Sequence, residues 1–186
     1  MIGNGLNQPK LTTTAIEWAN REHSLLAIFL KDLIHYKSSA RAIYDAHVAD
    51  GTVGNVDWNQ MVFPGHRLSH YYECHARVNF LQIVLSNSPL QLQPEQLDAI
   101  WTCLVQNALT REESDQCMQF FQSMLTQQQE HRLSDSTVAY IFERLLPSVS
   151  LDKLSEVGFH LVRVLLATFL VVRCFDSDRT CLHCVH

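Results

Sequence analysis

The chain has 186 residues, of which 47% are hydrophobic and 18% charged, with a formal net charge of −5. That length supports one well-buried core or one run of stacked repeats, and Lys and Arg scattered over an acidic chain exclude the basic stripe a nucleic-acid partner needs. Only 6 Gly and 5 Pro occur, too few for a turn-rich β-sandwich, while Gln, Leu and Glu recur through the middle and favour helix.

The opening MIGNGLNQPKLTTT has one Lys and no apolar run. Residues 1–13 are therefore expected to be a disordered lead-in rather than a secretory signal. A first helical segment is predicted from about Thr14 to Tyr36, with Leu26, Phe29, Leu30 and Leu33 at helical spacing and Ile16 and Trp18 extending the apolar side. A continuation carries Ala40, Ile43, Tyr44 and His47 to Gly51. Residues 51–65 lack periodicity and form the longest expected loop, whose Val56, Trp58, Met61 and Phe63 call for packing on a neighbour.

The next helix is predicted over His66 to Ser86, with Leu68, Tyr71, Tyr72, His75, Val78, Leu81 and Leu85 on one face. Pro94 opens another, in the first turn where its missing N–H is tolerated, and Leu97, Ile100, Trp101, Leu104, Val105 and Ala108 form its stripe. Thr110-Arg111-Glu112-Glu113 reads as a capping box, followed by Cys117, Phe120, Phe121, Met124 and Leu125. Ser134 or Asp135 caps the next helix, which carries Val138, Ile141, Phe142, Leu145 and Leu146 and ends at Pro147. The last is predicted to start after Ser150, with Leu154, Val157, Leu161, Leu165 and Phe169.

Helices opening near 94, 111, 135 and 151 pair as two hairpins about 40 residues apart, the period of HEAT or armadillo units. The predicted fold is all-α, built of armadillo- or HEAT-like stacked helical hairpins over residues 14–172, with an irregular helical bundle as the alternative. Residues 173–186 form a Cys/His-containing tail outside the repeat. The apolar run Val164 to Val172 is nine residues long, short of the roughly 20 that span a membrane, so no membrane partner is expected.

Candidate chemistry is sparse. His66, His70 and Cys74 stand at i, i+4 and i+8, with Glu73 and His75 beside them. On one helix Cys74 would lie about 12 Å along the axis from His66, too far for one zinc tetrahedron, so the His pair is expected at the surface. HRLSH lacks the Glu of a metalloprotease HExxH helix. The tail holds Cys181-Leu182-His183-Cys184 with Cys174 and His186 nearby, but no second pair at zinc-ligand spacing and no βαβ context for redox work. No G-x-S-x-G and no Gly-rich phosphate loop occurs. Cys103 and Cys117 fall on Trp-, Phe- and Leu-rich faces where a thiol acts as a small hydrophobe. No catalytic residue, metal ligand or cofactor is assigned, and the six Cys without disulfide-like spacing fit reduced thiols in a cytoplasmic protein.

From Glu22 to about Val162, the words HSLLAIFLKDLIHY, GHRLSHYYECHARVNFLQIVL and LDAIWTCLVQNALTREESDQCMQFFQSML resemble successive helices of the region upstream of the catalytic domain in very large ubiquitin-specific proteases of the fat facets type. The pair RVNFLQIVL and IWTCLVQNAL is distinctive. The resemblance implies an armadillo-like array inside a cysteine-type deubiquitinase. The family's Gly-rich Cys box and its His box are absent here, so no catalytic residue carries over, and the tail after Val172 departs from the family. The implied role is a non-catalytic scaffold for protein recognition in deubiquitination, with ubiquitinated substrates, regulators or a deubiquitinase catalytic domain as partners. Self-association through the largely apolar C-terminal helix is a further expectation. The alternatives are thiol-dependent deubiquitination by a longer parent chain and a small zinc-stabilised adaptor.

Overall fold

The computed structural model describes residues 9–87, 92–126, 135–148, 154–156 and 158–167. Those residues contain helices, turns and loops and no strand. The helices are α1 (Pro9–His23), α2 (Leu25–Ala49), α3 (His70–Ser86), α4 (Pro94–Trp101), α5 (Arg111–Thr126), α6 (Asp135–Tyr140) and α7 (158–167). Helix begins at Pro9, which corrects the lead-in expected over 1–13; residues 1–8 lie outside the described ones.

The single first segment read from the sequence is two helices. Ser24 adopts φ 51, the left-handed region, and breaks the run. Asn20 bridges the break: its carbonyl accepts the Ser24 N–H at 2.7 Å and its side-chain Oδ1 the Leu26 N–H at 3.2 Å. A left-handed Ser is uncommon, and nothing in the composition announced it. The chain turns away beyond α2 at Gly51, whose φ of +70 glycine adopts without a Cβ penalty. The loop to Ser69 is longer than expected, because α3 opens at His70 rather than His66. It is packed, as its apolar content required: Trp58 and Phe63 are buried, the Trp58 indole donates to the Val53 carbonyl at 3.0 Å, and the His70 N–H donates to the Met61 carbonyl at 2.8 Å.

The helices form two layers. α2 packs on α4, and α4 packs on the helical turn that continues α6; α3 packs on both α2 and α5. On the α5 side, Asp115 accepts the hydroxyl and N–H of Ser155, just ahead of α7. The chain is an armadillo-like all-α fold. The main core lies between the layers, from Leu26, Leu30 and Leu33 through Leu81, Trp101 and Phe121 to Ile141 and Leu165. A smaller cluster of Tyr36, Ala40, Trp58, Phe63 and Cys74 fills the space under the loop.

α4 and α6 have a common construction. α4 continues without a break into a π-helical turn, Thr102–Gln106, and α6 into Ile141–Leu145, followed by a 3-10 turn at Leu146–Ser148. The two π turns open about 40 residues apart, the spacing of repeated helical units. Gln93 and Gln96 make a capping box ahead of Pro94.

The predicted stripes of α4 and α6 are buried except at the half-buried Ala108 and Val138, but Trp18, Leu68 and Tyr72 are exposed. In α7 the inward residues are Leu161, Val162 and Leu165, while Phe159 and Leu166 face out. The helix follows Ser155, whose Oγ accepts the Gly158 N–H at 3.3 Å, and not Ser150. Val157, Phe169, the side chain of Leu125 and the tail from 173 lie outside the described residues. Among the described residues no helix is long and apolar enough to cross a membrane.

Candidate functional site

Two features could carry function: a buried polar cluster and an open groove. The cluster joins α2, α3 and α5. Glu113, 1% exposed, is its centre. Its Oε1 accepts the His70 Nε2–H at 2.7 Å, the Leu109 N–H at 2.9 Å and the Thr110 N–H at 3.2 Å. Its Oε2 accepts the Lys37 ammonium, itself 2% exposed. The carboxylate arm of the expected capping box is therefore present, and the same group also pins two other helices. His70 completes the chain: with the proton on Nε2, its Nδ1 accepts the Tyr36 hydroxyl at 2.7 Å.

A second ring of charge lies beside the first. Arg77 donates to Glu73 Oε2 at 2.5 Å, pairs with Asp32 at 2.9 Å, and places its guanidinium 4.3 Å from the Tyr36 ring centre. Glu73 also accepts the Leu68 N–H at 3.2 Å and faces His66 at 3.6 Å. Burial pushes the Glu113 carboxyl up, but the His70 hydrogen bond and the Lys37 charge outweigh it and hold the group below the usual carboxylate range. Glu73 behaves likewise: burial raises it, and Arg77 and the Leu68 N–H bring it below that range. Burial pushes the Tyr36 phenol well above its ordinary value.

This geometry corrects the expected surface His pair. His70 is fully buried and His66 is half-buried in the loop before α3, so the two do not share a helix face. The structure instead gathers His70, Cys74 and Glu113, with one ligand atom from each within 4.8 Å of the others. The trio resembles a Cys–His–carboxylate triad, and its surroundings oppose that chemistry. Cys74 Sγ lies 3.9 Å from both ring nitrogens of His70, and each nitrogen is already engaged, by Glu113 and by Tyr36. The thiol is fully buried, and burial raises its pKa, whereas a nucleophile needs an accessible thiolate. A metal ion there would lie beside the Lys37 ammonium, which already neutralises Glu113. Cys103 and Cys117 are core residues, as their faces implied; burial pushes Cys103 up to about 11 and raises Cys117 further. Cys174, Cys181, Cys184 and His186 lie outside the described residues.

The groove runs between α2 and α4 and encloses about 650 Å³. Ile34, Ala42, Ala99 and Cys103 give it apolar lining; Asp45 on the α2 side and Glu95 and Asp98 on the α4 side add carboxylates. The first residue of the π turn, Thr102, also lines it. Such turns recur at functional sites.

Comparison with known proteins decides what kind of array this is. The model of the UBP24/USP9X/USP9Y ARM repeat matches residues 4–167. The chain belongs to that armadillo-repeat family. Its relatives include human ubiquitin carboxyl-terminal hydrolase 34, 25% identical over 87% of this chain; mouse ubiquitin carboxyl-terminal hydrolase 9Y, 28% identical over 59%; and the Drosophila melanogaster ubiquitin carboxyl-terminal hydrolase puf, 25% identical over 85%. The chain spans 4% of the length of each. No solved structure matches it. The relatives are hydrolases by name, and the family model that matches this chain describes an armadillo-type repeat.

Lys37, Tyr36 and Glu113 were not picked out as partners by the sequence reading. One signal was available: Leu26, Leu30, Leu33, Lys37 and Ala40 fall on one helical stripe, which places a lysine in a core position.

Proposed function

We propose that the chain is a non-catalytic recognition segment of a large ubiquitin carboxyl-terminal hydrolase, and that the groove between α2 and α4 is its binding face. The observation that carries this reading is the contrast between the two features. The thiols of Cys74, Cys103 and Cys117 are buried, Cys103 where it lines the groove, and the groove is open, concave and lined by both apolar and charged groups. Ubiquitinated substrates, regulators or the catalytic domain of the parent protein are the partners in view, met in the cytoplasm. The helical core, with its polar cluster, holds the two walls of the groove at a fixed distance.

A photo-crosslinking residue placed at Ser38, on the groove wall, tests this in the full-length parent protein. The same residue at Asn79, exposed on α3, is the control. Adducts to purified ubiquitinated substrate or to the parent's catalytic domain are expected from position 38 and not from 79. Equal labelling from both positions, or none from 38, overturns the assignment of the groove.

A further inference from the structure

We infer that the groove between α2 and α4 takes a lysine or arginine side chain from a protein partner. The inference rests on the recognition role proposed for the groove and adds the chemistry of what enters it. A long basic side chain has an aliphatic stem and a charged head, and it favours a site with both apolar surface and negative charge. The groove has both. Ile34, Ala42 and Ala99 supply apolar surface, and Glu95 and Asp98, one turn apart on α4, supply negative charge.

The cations already in the groove do not cancel that charge. Arg41 is held on the α2 wall, bonded to Asp45 at 2.8 Å with its guanidinium 5.1 Å from the Tyr44 ring centre. Lys37 contributes to the lining, but its ammonium is bound to Glu113 in the core. Among the described residues, neither Glu95 nor Asp98 forms an ion pair; Asp98 takes a hydrogen bond from the Tyr140 hydroxyl, which raises the pKa of that phenol. An ionised carboxylate has about four acceptor positions, so Asp98 keeps capacity for a cationic donor. A second copy of this chain is a poorer occupant, since the chain carries a net charge of −5 and like charges oppose one another.

The test uses two fluorescein-labelled nonapeptides, one alternating arginine with leucine and one alternating glutamine with leucine, titrated into the chain. Binding is read by anisotropy, and its position by backbone amide shifts. The arginine peptide is expected to bind more tightly, with shifts centred on Ala42 and Ala99. The double variant Glu95→Gln with Asp98→Asn should weaken it about fivefold, the scale of two exposed charge contacts. The charge-matched control, Glu17→Gln with Glu22→Gln on α1, should change it by less than about twofold on the same scale. Equal weakening by the control pair, or shifts mapping away from the groove, overturns the inference by assigning the binding to diffuse charge. Equal binding of the glutamine peptide in the groove also overturns it, yet leaves the groove as a recognition face, which only the crosslinking at Ser38 can remove.

Discussion

Lys37 and Glu113 meet where water is excluded, so neither charge tolerates loss of the other. The two losses are unequal. Glu113 has three further donors, from His70, Leu109 and Thr110, and without Lys37 it remains solvated by them. Among the described residues Lys37 has no other acceptor, and without Glu113 it is a bare buried cation. Glu113→Gln should therefore cost about 3–5 kcal/mol by urea denaturation, as for broken buried pairs, and Lys37→Met distinctly less. Equal costs would show that the hydrogen bonds to Glu113 are not what holds it. The sign of the pH dependence follows from the lowered carboxyl pKa. Between the folded value and the ordinary 4.5 the unfolded chain binds more protons, so this contribution is present above about pH 4.5 and is lost as pH falls through the folded value. Glu113→Gln should flatten the acid limb of a stability–pH profile. Gly158 makes a second residue-scale test. A Cβ there would collide with Asp115 Oδ1 and lie 3.2 Å from Leu154 Cδ2, so Gly158→Ala must push Asp115 off Ser155. A loss of about 1–3 kcal/mol is expected, the scale of a buried polar group left unpaired; an unchanged urea midpoint would contradict the Asp115–Ser155 contact.

At the level of elements, α4 was legible because its buried residues are apolar throughout. Trp101, 1% exposed, lies parallel to Phe121 with ring centres 6.0 Å apart and ties α4 to α5. Trp101→Ala should cost about 3–5 kcal/mol, as for other buried large aromatics. Trp101→Phe should cost much less, because among the described residues the indole N–H has no hydrogen-bond partner to lose. A cost below one kcal/mol for the alanine variant would place that stripe at the surface. α3 was misread for the opposite reason. Its buried face starts with His70, Glu73 and Cys74 before Val78, Leu81, Val84 and Leu85. Apolar periodicity cannot register a face whose first turn is polar, so the reading slipped to Leu68 and Tyr72, which face solvent. The break at Ser24 was hidden for a local reason, since a left-handed residue held by Asn20 leaves no Gly or Pro mark. The groove was equally hidden, because its walls come from helices separated by more than 40 residues in a chain read one helix at a time.

Across the whole molecule, two layers of helices carry one main core and a smaller cluster, and α7 leaves apolar side chains uncovered. In α7 one face is covered and Phe159 and Leu166 are exposed. An array buries each unit against its neighbours, so self-association through this helix is expected at high concentration. Sedimentation should show mass rising with concentration, and Phe159→Glu with Leu166→Glu should abolish the rise; a monomer at every concentration would contradict it. The proposed recognition role turns on the absence, among the described residues, of a usable nucleophile. Turnover of a ubiquitin–fluorophore conjugate by this chain measures that most directly. No release above the buffer rate is expected, because the thiols of Cys74, Cys103 and Cys117 are buried and burial holds each of them protonated. Turnover that disappears on changing any one of them to Ser would contradict it.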